Sequence, residues 1–212
     1  HPFKVNFIMM KNTIFAVLVV CSMTICQAQE ETEKPGFPLE ISVSNNGTVL
    51  PGSGYMGIIS VPVHPGIMAG TFHPVRTGEK SQLVHSLKLG YVYHHYSHHA
   101  AGLYTDFTYL HRINSWLNGG AGVGIGYQHT FVDVPAFQLN ESGGYDQKKN
   151  YSRSQFAGNM HACLSYTLNR TAKKPISVFL DYRFSLIAPF VKVYVPILPV
   201  TSVSLGTIFY LN

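Results

Sequence analysis

The chain has 212 residues, 46% of them apolar and only 12% charged, with 13 Tyr and 13 Phe. That balance excludes a disordered chain, which needs low hydrophobicity and high net charge, and it excludes an ordinary water-soluble domain, whose charged share is about a quarter. The formal charge of +5 is too weak a basic bias to indicate a nucleic-acid partner.

The first element reads as an export signal. After Met10, the expected true start, Lys11 supplies the positive region, residues 14–20 the apolar core, and Cys26-Gln27-Ala28 a small-x-small cleavage site. Residues 1–28 are thus expected to be a leader and a cleaved signal peptide. The apolar core is too short to span a membrane as a helix, and no later stretch approaches the ~20 consecutive apolar residues that a spanning helix needs. Cleavage removes Cys21 and Cys26, so Cys163 is left alone and no disulfide is expected within the mature chain. Loss of Lys4 and Lys11 lowers the formal charge from +5 to +3. Residues 29–38, QEETEKPGFP, are polar and proline-containing, which predicts a flexible periplasmic leader.

From Leu39 onward the hydrophobic pattern has period two, with no sustained helical period. A first strand is expected within 39–63. A second is expected at 66–74, with His64-Pro65-Gly66 and His73-Pro74-Val75 marking its two ends. In the third, 81–95, Leu83, Leu87, Leu89, Tyr91 and Tyr93 oppose Ser86, Lys88 and Gly90; in the fourth, 100–112, Leu103, Phe107 and Tyr109 oppose Gly102, Asp106, Thr108 and Arg112.

The fifth, 117–131, carries glycine at every second residue from Gly120 to Gly126, with Ala121, Val123, Ile125 and Tyr127 between and beyond them. A dinucleotide fingerprint needs G-x-G-x-x-G between a strand and a helix, and a P-loop needs Gly-Lys-Ser/Thr; neither fits. Glycine confined to one face of a strand makes room for bulky neighbours inside a narrow barrel. The sixth strand, 155–168, sets Phe156, Met160 and Leu164 against Gln155, Asn159, His161 and Cys163. The seventh, 176–187, sets Val178, Leu180, Tyr182 and Phe184 against Ser177, Asp181, Arg183 and Ser185, and the eighth, 201–212, has Val203, Leu205, Phe209 and Leu211 on one face.

These runs are longer than the five or six residues of a typical soluble strand and match the ~9–11 residues that a tilted strand needs to cross a bilayer. Lys88, Asp106, Asp181 and Arg183 all fall on the polar faces and none on the apolar ones. Lipid against the apolar faces accounts for this, because a charge facing lipid costs about 2–4 kcal/mol at the midplane. The expected fold is all-β, an eight-stranded antiparallel up-and-down transmembrane β-barrel over residues 39–212. A soluble lipocalin-like barrel is disfavoured because its outer face would be polar.

With these strands and an alternating, aromatic-rich last strand, the chain resembles the outer-membrane β-barrel proteins of Gram-negative bacteria, and its Gly- and Tyr-rich strands are similar to small barrels of Bacteroidota type. The resemblance implies location in the outer membrane among lipid and lipopolysaccharide, insertion by the barrel-assembly machinery, a periplasmic C-terminus, short turns inside and longer loops outside. Residues 132–154 and 188–200 then fall outside, the latter as a loop with room for a short hairpin extension. The stretches RTGEK, INSW and NRTAKKP fall inside. A structural or surface-interaction role through the loops follows, with Lys148, Lys149 and Arg153 placed to meet lipopolysaccharide phosphates. No cofactor is expected.

An eight-stranded barrel is filled by its own side chains, so Lys88, Asp106, Asp181 and Arg183 are expected to pair in the lumen, two against two, with a narrow ion or proton path as the alternative. In HHYSHHAAG, His94, His95, His98 and His99 are candidate metal ligands. Strand alternation sends neighbours to opposite faces, and no acidic or cysteine partner lies in the cluster. A place at the rim and in an aromatic belt beside Tyr91, Tyr93 and Tyr96 is the alternative. His95-Tyr96-Ser97 is similar to the His-x-Ser element of the lipid A 3-O-deacylases, which implies Ser97 as nucleophile and His95 as its base on the membrane-facing wall. The chain departs from that family in three ways. His98 follows the serine where Asn is expected, Asp106 has lumen parity, and the motif sits mid-chain.

Overall fold

The computed structural model describes residues 36–48, 50, 63–94, 98–132, 136–140, 143–148, 152–168, 175–190 and 196–211. The signal peptide expected at 1–28 lies outside them. The strands are β1 (Phe37–Gly47), β2 (Pro65–Thr77), β3 (Ser81–His94), β4 (His98–Arg112), β5 (Leu117–Val132), β6 (Ala136–Leu139), β7 (Tyr145–Lys148), β8 (Arg153–Thr167), β9 (Ser177–Ala188) and β10 (Leu198–Leu211). Eight of them, β1–β5 and β8–β10, close an antiparallel barrel in chain order, with β10 returning to pair with β1. Closure removes the unpaired edges that an open sheet of this length would expose.

Several boundaries differ from the sequence expectations, each for a local reason. Phe37 and Pro38 pair with Leu211 and Tyr210 at the closing seam, so the barrel begins before Leu39 and the leader loses its last two residues. His73-Pro74 does not end β2. It lies within the strand, where the register slips between Pro74 and Arg76, because proline has no N–H to give to the ladder. Residues 191–195 of the expected 188–200 extension lie outside the described residues, while a hairpin forms in the β5–β8 connection, as β6 and β7. Its tip needs a glycine, since Gly143 has φ of 80° and donates its N–H to the Asn140 carbonyl at 3.1 Å. Arg153 and Ser154 are not loop residues but the first two of β8.

One end of the barrel is closed by short turns at 78–80 and 113–116. In the second, Asn114 Oδ1 accepts the N–H groups of Trp116 and Leu117, both at 2.8 Å, which is why asparagine suits that position. That end also has the β8–β9 connection, and the other end has the β1–β2, β3–β4, β5–β8 and β9–β10 connections, of which 133–152 is the longest. The two ends are called below the turn end and the loop end.

The polarity of the barrel is inverted relative to a soluble protein. Outward residues Phe156, Leu89, Ile125 and Val123 are 68, 65, 64 and 63% exposed, whereas inward Asp106, Gln155 and Arg183 are 0, 1 and 4% exposed. Period two separates the two sets on every strand. The inward glycines of β5 give up their volume to neighbours. Beside Gly122 lies the His161 ring, beside Gly124 the Asp106 carboxylate, and beside Gly126 the Tyr104 ring.

Candidate functional site

The lumen is organised in layers. In its middle, Arg183 on β9 grips Asp106 on β4 with both terminal nitrogens, Nη1 to Oδ1 at 3.2 Å and Nη2 to Oδ2 at 2.9 Å. Its Nε lies 3.7 Å from Asp181 Oδ2. Two-pronged recognition fixes the planes of both groups as well as their charge. Lys88 on β3 does not join this cluster but pairs with Glu40 on β1 at 2.8 Å. The arrangement is therefore three carboxylates against two cations, which replaces the two-against-two balance expected from sequence. Glu40 was legible in principle, because Leu39, Ile41 and Val43 lie on the opposite face of its strand. His161 on β8 closes the layer, with Nε2 3.0 Å from Thr108 Oγ1.

Towards the loop end, polar and apolar groups share the space. Tyr104 Oη donates to Gln128 Oε1 at 3.0 Å, Gln128 Nε2 donates to Thr130 Oγ1 at 3.3 Å, and Thr130 Oγ1 donates to Gln155 Oε1. Gln155 Nε2 then reaches the Pro189 carbonyl at 3.1 Å. Beside this chain Tyr104, Ala157 and Ile187 pack with Met68, Leu198 and Val200. These residues lie between the charged layer and the loop end.

At the mouth, imidazoles from three segments stack. His64 and His94 have ring centroids 3.6 Å apart, and His94 and His98 are 5.3 Å apart. His98 continues to Phe190 at 6.3 Å. Arg153 sits over the same Phe190 ring at 5.6 Å and donates Nη1 to its carbonyl at 2.9 Å. Its guanidinium thus holds the β9–β10 connection. Lys148 ends β7, and Lys149 lies outside the described residues.

The histidine cluster divides between two faces. His94 and His98 share the mouth, while His99 lies on the outer wall, 2.9 Å from Tyr91 Oη through Nδ1; His95 lies outside the described residues. Stacked rings present faces to each other, whereas metal ligands must aim nitrogen lone pairs at one point. No group of three His, Cys, Asp or Glu is placed to hold a metal among the described residues.

Ser97 lies outside the described residues as well. A different serine and histidine meet on the outer wall. Ser154 Oγ is 3.5 Å from His129 Nδ1 and accepts from Tyr127 Oη at 2.9 Å. A serine nucleophile needs a base that is itself oriented by a third group, and the described residues give His129 no carboxylate. The three side chains form a polar patch in a band of aromatic rings.

These features define the fold of the small outer-membrane barrels: eight antiparallel strands, closed, with a polar filled lumen and an apolar outer wall. No protein-family model matches the chain, and no curated protein does. Among solved structures it is similar to Neisserial surface protein A (NspA), with 14% identity over 83% of this chain and 97% of that chain and a TM-score of 0.54. It is also similar to the outer membrane enzyme PagL, with 12% identity over 82% of this chain and 99% of that one and a TM-score of 0.45. Ail, the attachment invasion locus protein of Yersinia pestis, gives 11% identity, 84 and 100% coverage and a TM-score of 0.44.

Proposed function

We propose that this chain is a small barrel of the bacterial outer membrane, not a wide pore, acting as a structural or surface-interaction element through its loop end. The observation that carries this reading is the inverted polarity. A wall that exposes Leu89, Val123, Ile125 and Phe156 while enclosing Asp106 and Arg183 is stable where hydrocarbon, and not water, surrounds it. The signal peptide brings the chain across the inner membrane, and the barrel-assembly machinery inserts it.

Leu89→Arg tests the reading. With Leu89 against hydrocarbon, the variant is expected to lose about 2–4 kcal/mol of folding stability in lipid vesicles and to lose its heat-modifiable band on gels. Folding as well as the parent, or folding of the parent in buffer without detergent or lipid, would overturn it.

In this reading the loop end faces the outside. Protease added to intact cells is then expected to cut within 133–152, and cleavage seen only after the outer membrane is breached would reverse the orientation. Lys148 and Lys149 are the cations left to engage lipopolysaccharide phosphates, since Arg153 is held by Phe190. Replacing both by Gln is expected to raise outer-membrane permeability to a hydrophobic dye; unchanged uptake would remove that contact.

A further inference from the structure

The turn end of the lumen holds a cavity that the reading above does not use. Its volume is about 140 Å³, roughly four or five times the share of one water in the liquid. The cavity is lined by Lys80, Arg112, Gln82, Asn118, Thr77 and Ser81. Two cations, two amides and two hydroxyls line this space together with Gly78 and Leu110; it opens to solvent, and Lys80 and Arg112 are both exposed.

The backbone fixes this arrangement. Gly78 donates to the Ser81 carbonyl at 2.8 Å, closing the β2–β3 turn, and the Arg112 N–H donates to the Lys80 carbonyl at 2.8 Å, tying that turn to the end of β4. Among the described residues, Gln82 Nε2 and Asn118 Nδ2 are engaged by long contacts, 3.5 Å to Thr77 Oγ1 and 3.5 Å to Ser165 Oγ. Neither Lys80 nor Arg112 has an ion-pair partner among the described residues. That differs from Lys88 and Arg183 deeper in the lumen, which are both paired.

The same end also carries Arg76 and Glu79, whose opposite charges offset each other. Just outside, Trp116 stacks on Tyr166 with centroids 6.4 Å apart, the kind of aromatic belt that marks the boundary between hydrocarbon and water.

We propose that this cavity is a binding site for a phosphate-type oxyanion. Arg112 supplies a planar fork that matches two phosphate oxygens, Lys80 supplies a point charge, and the amide and hydroxyl hydrogens serve the remaining oxygens. The phosphate comes either from solution or from the head group of an anionic phospholipid in the adjoining leaflet.

The test is an amide chemical-shift titration of the folded full-length mature chain. In one arm the protein is in detergent micelles and inorganic phosphate is added. In the other it is in phosphatidylcholine nanodiscs, with and without phosphatidylglycerol. Saturable shifts of Gly78, Lys80 and Asn118 are expected, weakened at least tenfold by Lys80→Gln combined with Arg112→Gln. Arg153→Gln, at the opposite end, leaves them unchanged, and all variants keep the heat-modifiable band. Saturation by phosphate in micelles assigns the free ion, and shifts that appear with phosphatidylglycerol alone assign the head group. The proposal is overturned if neither arm saturates, if sodium chloride at equal ionic strength reproduces the shifts, or if the double variant binds as tightly as the parent. The micelle arm does not depend on the membrane reading.

Discussion

Asp106→Ala is expected to destabilise the barrel by about 3–5 kcal/mol, the usual cost of removing one member of a buried ion pair. Arg183 is 4% exposed, and without Asp106 its remaining acid is Asp181 at 3.7 Å from Nε, so both terminal nitrogens lose their partners. Urea unfolding from lipid vesicles measures the loss, followed by fluorescence of Trp116, the one tryptophan of the chain. Replacing the pair together, Asp106→Leu with Arg183→Met, is expected to recover much of the stability, because the uncompensated charge goes with it. A loss below about 1 kcal/mol for the single variant would mean that water reaches Arg183 and that the lumen is more open than its packing implies.

The second large effect is expected from the smallest change. In Gly124→Ala the added methyl meets Asp106 Oδ1 and the Thr105 carbonyl at less than contact distance. Neither can retreat, since Asp106 is held by Arg183 and the carbonyl is part of the β4–β5 ladder. Overpacking of this kind costs about 1–3 kcal/mol. Gly158→Ala is the control. Nothing lies within 4 Å of the added atom there, and the substitution is expected to be neutral or to stabilise by up to about 1 kcal/mol through the unfolded chain. Equal effects at the two positions, in the same unfolding assay, would contradict the packing described for β5. In an Asp106→Ala background the Gly124→Ala penalty should shrink, because residues that share one space are not additive.

Much of the architecture was legible because period two assigns each residue to a face without further information. Lys88, Asp106, Asp181 and Arg183 could be sent inward, and the glycines of β5 could be assigned to packing, on alternation alone. Alternation does not assign height. Which inward residues meet is set by the stagger between strands. The pairing of Lys88 with Glu40, 48 positions apart in the chain, was therefore out of reach, as was the grip of Arg153 on Phe190. Glu40 was missed for a further reason: it lies near the junction with the leader, where the start of the first strand was not located. The stack of His64 on His94 needed the stagger as well. The slip at Pro74 shows the converse case, in which one missing N–H outweighs a plausible boundary signal.

The bare inner face of β5 has a consequence for what this scaffold could become. From Gly120 to Gly126 that strand contributes no side chain to the interior, and the space beside it is occupied from its neighbours, by Tyr104, Asp106 and Leu110 of β4 and His161 and Cys163 of β8. Trimming those few protruding groups would uncover a continuous slot along a single strand while the hydrogen-bonded wall behind it stayed intact. The room inside this wall is therefore set by the residues of β4 and β8, and it changes with their side chains, with no strand added and no change of circumference.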